Sequence, residues 1–378
     1  MPRTGPVVAL VTVLACGGCW SSPSAEQPLP PPTRQPETQR ALDDVALRAA
    51  HTATTTPDGT VLVAGGCAVD GCTTATPSVV AVDASGAVSA RPDLRTARDA
   101  HTAALLGDGS VLVAGGFSGE GQPPMASAET LAPDAAGWQP TAPMRTARGG
   151  HAAAPLGVSR VLVAGGWIGS QTYTDSTEIY DPRTRRFVPG PRLPVAVDGL
   201  AAAPLPDGSV LVAGGQVRPG VATDQALVVH PDGTLTRVAP LGQARFKHAM
   251  VPLASGRVLV IGGTVDDRRL LTSTELYDPR TRDFQPGPEL SSGRYKLGGA
   301  AAVLPDGRVL VAGGGPGVEI IDVGAGTSRP YATGLVAPTR GSFSTVSVVR
   351  GRVLILGGYD EDIRLTGRHA LIGLRARS

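Results

Sequence analysis

The sequence has few aromatic residues, 4% of the total, so any that stand on loops call for a reason. Lysine is rarer still: Lys247 and Lys296 are the only two, and arginine carries the remaining positive charge. Net charge is only +2. That excludes an overall field drawing the chain to nucleic acid or to acidic membranes. No stretch carries the apolar i, i+3, i+4 spacing of a long amphipathic helix, which excludes a helical architecture. What is abundant is glycine (50) and proline (34), set in 42% hydrophobic residues. Short strands with such punctuation predict an all-β sandwich, barrel or propeller.

The first forty residues read as an address and a tether. Arg3 precedes an apolar run from Val7 to Ala15 that is too short to span a bilayer. It ends Val13-Leu14-Ala15-Cys16, followed by Gly17, Gly18 and Cys19. This resembles a bacterial lipobox, which implies cleavage of residues 1–16 and lipidation of Cys16, with Cys19 as the alternative. An ordinary cleaved secretory signal is the other reading. Both predict export, with a lipid anchor the only link to a membrane. Residues 17–40 are rich in proline, serine, glutamine and threonine and predict a flexible tether.

The remainder, 41–378, is built on a repeat. The string Val-Leu-Val-Ala-Gly-Gly or a near copy ends at Gly66, Gly116, Gly166, Gly215, Gly263, Gly314 and Gly358. Each copy parses into four strands: a small apolar strand, a Pro-Asp-Gly type turn, the Val-Leu-Val strand, a third strand such as Ser176 to Pro182, and a fourth carrying Trp138, Phe187 or Phe284. An Arg-x-x-His start, the double glycine, then Glu-x-Tyr-Asp-Pro and an aromatic closely resemble the kelch repeat. That resemblance implies a seven-bladed β-propeller of four-stranded blades. The last copy is short after Gly358, and Leu42 to Leu47 stands where other copies place a fourth strand. The expectation is an N-terminal strand that completes the seventh blade and closes the ring.

Fourteen residues before each glycine pair stand His51, His101, His151, Leu200, His248, Gly299 and Phe343. One slot per blade lies too far from its neighbours for shared metal ligation, so these histidines are expected to hydrogen-bond between strands. Three residues earlier come Arg48, Arg98, Arg148, Val197, Arg245, Lys296 and Arg340. The kelch resemblance puts this position on the pocket face, where a cationic ring would grip carboxylates or sulfates. The alternative is pairing with acids of the rim loops, among them Asp70, Glu120, Asp175, Asp267, Asp360 and Glu361. Phe117, Trp167, Tyr173 and Tyr359 sit on the loops after the glycines and are candidates for stacking on a sugar or gripping a peptide. Cys67 and Cys72 are expected to form a disulfide that shapes one loop, which offers too few ligands for a metal.

The kelch resemblance extends to galactose oxidase, but no Tyr-His pair and no cysteine suited to its copper site is found, and residues matching kelch-type sialic acid epimerases are not identifiable. No catalytic constellation and no cofactor are therefore expected. The reading is a binding module for an envelope or extracellular protein or glycan. A carbohydrate-active enzyme and a structural component of an envelope assembly are the alternatives.

Overall fold

A computed structural model describes residues 36–332 and 341–373. Cys16, Cys19 and Arg340 lie outside the described residues, as does the whole segment expected to be signal and most of the tether.

The four apolar residues of the Val-Leu-Val strand are buried in every copy, as in Val111–Ala114. This is the second strand, B, of an antiparallel sheet in strand order A-B-C-D. Blade 1 uses Thr52–Thr55, Val61–Ala64, Val79–Val82 and Val88–Arg91. Blades 2 to 6 repeat the pattern, with A strands opening at Thr102, Ala152, Ala201, Ala249 and Ala301. Blade 7 has three strands, Thr345–Val349, Arg352–Leu356 and His369–Gly373. The A strands touch in succession around a ring, and that of blade 7 touches that of blade 1. This is a seven-bladed propeller.

Burial on both faces follows from the pleat. In strand B of blade 2, Val111 and Val113 pack toward blade 1 with Leu62, Ala64 and Trp138. Leu112 and Ala114 pack toward blade 3 with Val161, Val163 and Tyr180. Each aliphatic side chain so enclosed contributes about 1.5–3 kcal/mol.

The predicted closing strand is a helix. Helix α1, Pro36–Ala46, occupies the segment expected to pair with blade 7. Leu42, Val45 and Ala46 are three and four apart and are buried, whereas Asp43 and Asp44 are exposed. That is helical rather than strand periodicity. The apolar stripe joins Val61, Val63 and Val82 of blade 1 to Leu354, Leu356 and Leu371 of blade 7, and Asp43 meets His369 at 3.4 Å.

The ring closes by a backbone bond that every seam shares. The second glycine of each pair donates its N–H to the carbonyl at the arginine position of the next blade. The pairs are Gly66 to Arg98 (2.8 Å), Gly116 to Arg148 (2.9 Å), Gly166 to Val197 (2.8 Å), Gly215 to Arg245 (2.9 Å), Gly263 to Arg294 (2.7 Å), Gly314 to Gly341 (3.2 Å) and Gly358 to Arg48 (3.0 Å). The first glycine lies against the same carbonyl: a Cβ on Gly65 would stand 2.5 Å from the oxygen of Arg98. Its φ of +63° disfavours a side chain as well.

The histidines reinforce three of these seams. Nε2 of His51, His101 and His151 meets the hydroxyl of Thr345 (2.8 Å), Thr52 (3.1 Å) and Thr102 (2.8 Å) in the preceding blade. Burial, then the neighbouring Arg48 or Arg148, pushes His51 and His151 down to about 3, so these imidazoles are neutral. In blade 7 the register places Ser344 in this slot, one residue beyond the Phe343 that counting gives, because Thr345 aligns with Thr52. His248 is the exception. Ala201 occupies the threonine position beside it, and neither ring nitrogen has a partner. We expect Ala201→Thr to supply the hydroxyl and raise unfolding free energy by about 1 kcal/mol. Ala201→Val and Ala152→Thr, the latter facing Leu200, should give no gain in urea melts.

Candidate functional site

A cavity of about 1200 Å³ lies on the axis, walled by the A strands and by loops that follow the glycine pairs. Its throat is set by Ala50, Ala100, Gly150, Gly199, Lys247 and Phe343, each the residue before the histidine slot, and in blade 6 by Lys296, all with φ between 44° and 64°. Most of their peptides bond head to tail, as from Ala100 N to Ala50 O (3.1 Å), Lys247 N to Gly199 O (2.7 Å) and Ala50 N to Phe343 O (3.3 Å). This ties the throat to the blades on either side.

The expected cationic ring is not on the cavity wall. Arg98, Arg148 and Arg245 are fully buried and turn into their own blades. Arg148 donates from Nη1 to the carbonyls of Gly165 (2.8 Å) and Ser176 (2.9 Å), and from Nη2 to Glu178 Oε1 (3.0 Å). Glu178 also accepts the N–H groups of Arg145 (2.8 Å) and Thr146 (3.1 Å). Arg98–Glu129 (2.9 Å) and Arg245–Glu275 (2.6 Å) repeat the arrangement. The partner is thus the glutamate of the Glu-x-Tyr-Asp strand and not an acid of the rim. Blade 6 uses Arg294, which meets Glu319 at 3.3 Å. Two extra residues before strand A shift the count onto Lys296. Arg48 has no such glutamate, because Val80 holds that register position; it donates to Gly65 O and Ser78 O, both at 3.3 Å. Blade 4 replaces both members, with Val197 and Leu227 packed in one apolar cluster. A sequence signal for these partners exists: the arginine and the glutamate are lost together there.

Lys296 does line the cavity. Its Nζ lies 5.1 Å from the Tyr295 ring centre and 5.2 Å from that of Phe343. Lys247, which counting did not single out, pairs with Asp267 at 2.5 Å. Of the four candidate aromatics, Phe117 and Trp167 are half-buried on the wall with ring centres 5.3 Å apart. Tyr173 and Tyr359 also line the cavity but are buried.

The disulfide joins Cys67 and Cys72, with Cα atoms 5.1 Å apart. Its loop is held from both sides. Glu120 N donates to Cys72 O (2.8 Å), Gly71 N to Ile363 O (3.0 Å) and Leu365 N to Asp70 Oδ1 (2.8 Å). The loops of blades 2 and 7 are thereby fixed to that of blade 1.

Two acids that sequence reasoning missed stand two residues before the histidine position. Asp198 accepts from Gln216 Nε2 at 3.0 Å. Asp99 is buried beside the disulfide, and its Oδ2 has no hydrogen-bond partner. Among the described residues, the one group of three metal-type donors is Cys67, Cys72 and Asp99, and its sulfurs are bonded to each other. Desolvation pushes the Asp99 carboxyl up from 3.8 to about 7. Between those values the folded chain keeps a proton that the unfolded chain has lost, so this group subtracts stability as pH rises through the window. Asp99→Asn should therefore gain a few kcal/mol over the native chain at pH 8, a gap that closes toward pH 4. Urea midpoints across this range measure it, with a constant gap as the contrary result.

Residues 148–194 match the family model described as Kelch motif. No curated protein matches the chain. Among solved structures, one described as "Structure of YjhT" aligns with a TM-score of 0.58 and 14% identity, covering 87% of this chain and 95% of that one. At that identity the likeness is one of fold.

Proposed function

We propose that this kelch-motif propeller is a binding module that takes a glycan in its central funnel. The observation that carries the reading is the residue after each glycine pair: Cys67, Phe117, Trp167, Gln216, Thr264, Gly315 and Tyr359. Six of these positions are pinned by backbone bridges, such as Asp99 to Phe117 and Gly149 to Trp167. Four of them, Phe117, Trp167, Gln216 and Tyr359, line the cavity, each in the same backbone frame and each with a different side chain, as a surface built for recognition requires. A concave site suits a ligand of sugar size better than a flat protein face. Phe117 and Trp167 offer a ring platform on one wall.

Glycan-array binding should identify one sugar class, with Trp167→Ala at least tenfold weaker. Binding confined to peptides would overturn the glycan reading.

The start of the sequence supports export and attachment to a bacterial membrane through lipid on Cys16, so that the funnel meets envelope or extracellular glycans. In a bacterial host, Cys16→Ser should end palmitate incorporation and release the chain from membranes. If Cys19→Ser does so instead, the second cysteine is the anchor. Release of the unchanged chain would leave plain secretion.

A further inference from the structure

The wall shared by blades 7, 1 and 2 holds a buried acid with nothing to balance it. Asp99 lines the cavity at 6% exposure. No ion pair reaches it among the described residues, and its Oδ2 accepts no hydrogen bond. Tyr359, 5% exposed on the same wall, has a hydroxyl with no partner either. A buried carboxylate left this way costs free energy that a packed core has no reason to carry. Asp198, at the equivalent position in blade 4, shows how the position is satisfied when the protein does it alone.

The surrounding charge has one sign. Burial first, and then the charges of Asp99, Asp70 and Glu120, raise the Tyr359 hydroxyl. Arg98, next in sequence, is committed to Glu129. These acids do not converge closely enough to hold a bare ion. No set of three carboxylates among the described residues brings its oxygens within 4.8 Å, whereas a divalent cation takes its oxygens at about 2.3 Å. A cation that carries its own hydrogens is less demanding, since an ammonium can reach separated acceptors through three donors.

We propose that Asp99 and Tyr359 form a subsite for a protonated primary amine of the funnel's ligand, which makes that ligand an amino sugar. The carboxylate accepts two of the amine hydrogens and the tyrosine oxygen the third, while the acids of the neighbouring loops draw the cation in. The sugar part of this inference rests on reading the funnel as a glycan site; the amine part does not.

The test uses the full chain and three probes: a glucosamine trisaccharide with free amines, its fully N-acetylated counterpart, and trilysine. In calorimetric titrations at pH 7 the free-amine sugar should bind at least tenfold tighter than the acetylated one. Asp99→Asn should abolish that preference, and Tyr359→Phe should reduce it. Because Asp99→Asn removes a buried charge, its melting temperature should not fall, which separates lost recognition from lost folding. Equal binding of the two sugars, each lost in Trp167→Ala, would overturn the amine subsite and leave the glycan site standing. Trilysine binding that depends on Asp99, with neither sugar bound, would keep the amine and overturn the sugar. Failure of every amine probe, or an undiminished preference in Asp99→Asn, would overturn the subsite.

Discussion

The ring is held by one contact made seven times, the glycine N–H bonded to a carbonyl of the next blade. Backbone must approach backbone at that point, and a methyl group on the first glycine would occupy the space of the acceptor oxygen. This makes the double glycine the least replaceable feature of the repeat. It also means that no seam is special. Gly358 reaches Arg48 at 3.0 Å, within the spread of the other six. Closure therefore needs no strand shared between the chain ends, and α1 need only cover the apolar edge where a fourth strand of blade 7 would have stood.

The other seam contacts are elaborations on that bond. In four blades the arginine whose carbonyl accepts it sends its guanidinium into its own sheet, onto a glutamate that also accepts backbone N–H groups of the connecting segment. One residue thus joins two blades, by main chain on one side and side chain on the other. A buried ion pair satisfied so fully gives geometry more than net stability. Blade 4 does without it and fills the space with Val197 and Leu227. The threonine–histidine contacts obey the same pairing rule, threonine standing where a histidine follows and alanine where none does. The seam between Ala201 and His248 departs from it.

Much of this was legible in the sequence because the repeat fixes register. Seven copies gave seven sheets, the strand order and the contacts of His51, His101 and His151. Three readings failed for identifiable physical reasons. Leu42 to Leu47 is too short for a period of two and one of 3.6 to be told apart without knowing what it packs against. Counting back from the glycines assumed a constant offset, and an insertion before strand A of blade 6 moved the reading from Arg294 to Lys296. The arginines were placed correctly along the chain but assigned to the cavity, because their glutamates lie two strands away and pairing at that distance leaves only a trace, the joint loss in blade 4. Asp99 and Asp198 were invisible for a related reason. An acid beside an arginine reads as a surface pair until the arginine is seen to face the other way.

A division of labour follows from where the hydrogen bonds are. At the two positions that face each other across six of the loop bases, the bridge itself is a main-chain one, so the blade does not need a particular side chain there. That freedom allows Ala49, Asp99, Gly149, Asp198, Phe246 and Ser342 to share one structural slot. A solitary buried carboxylate at one of them strains a single seam by a few kcal/mol, while the glycine bonds of all seven seams are untouched. A sandwich or barrel with one common core would have to absorb that cost where its stability is concentrated. A propeller confines it to the wall of the cavity, where a ligand can relieve it.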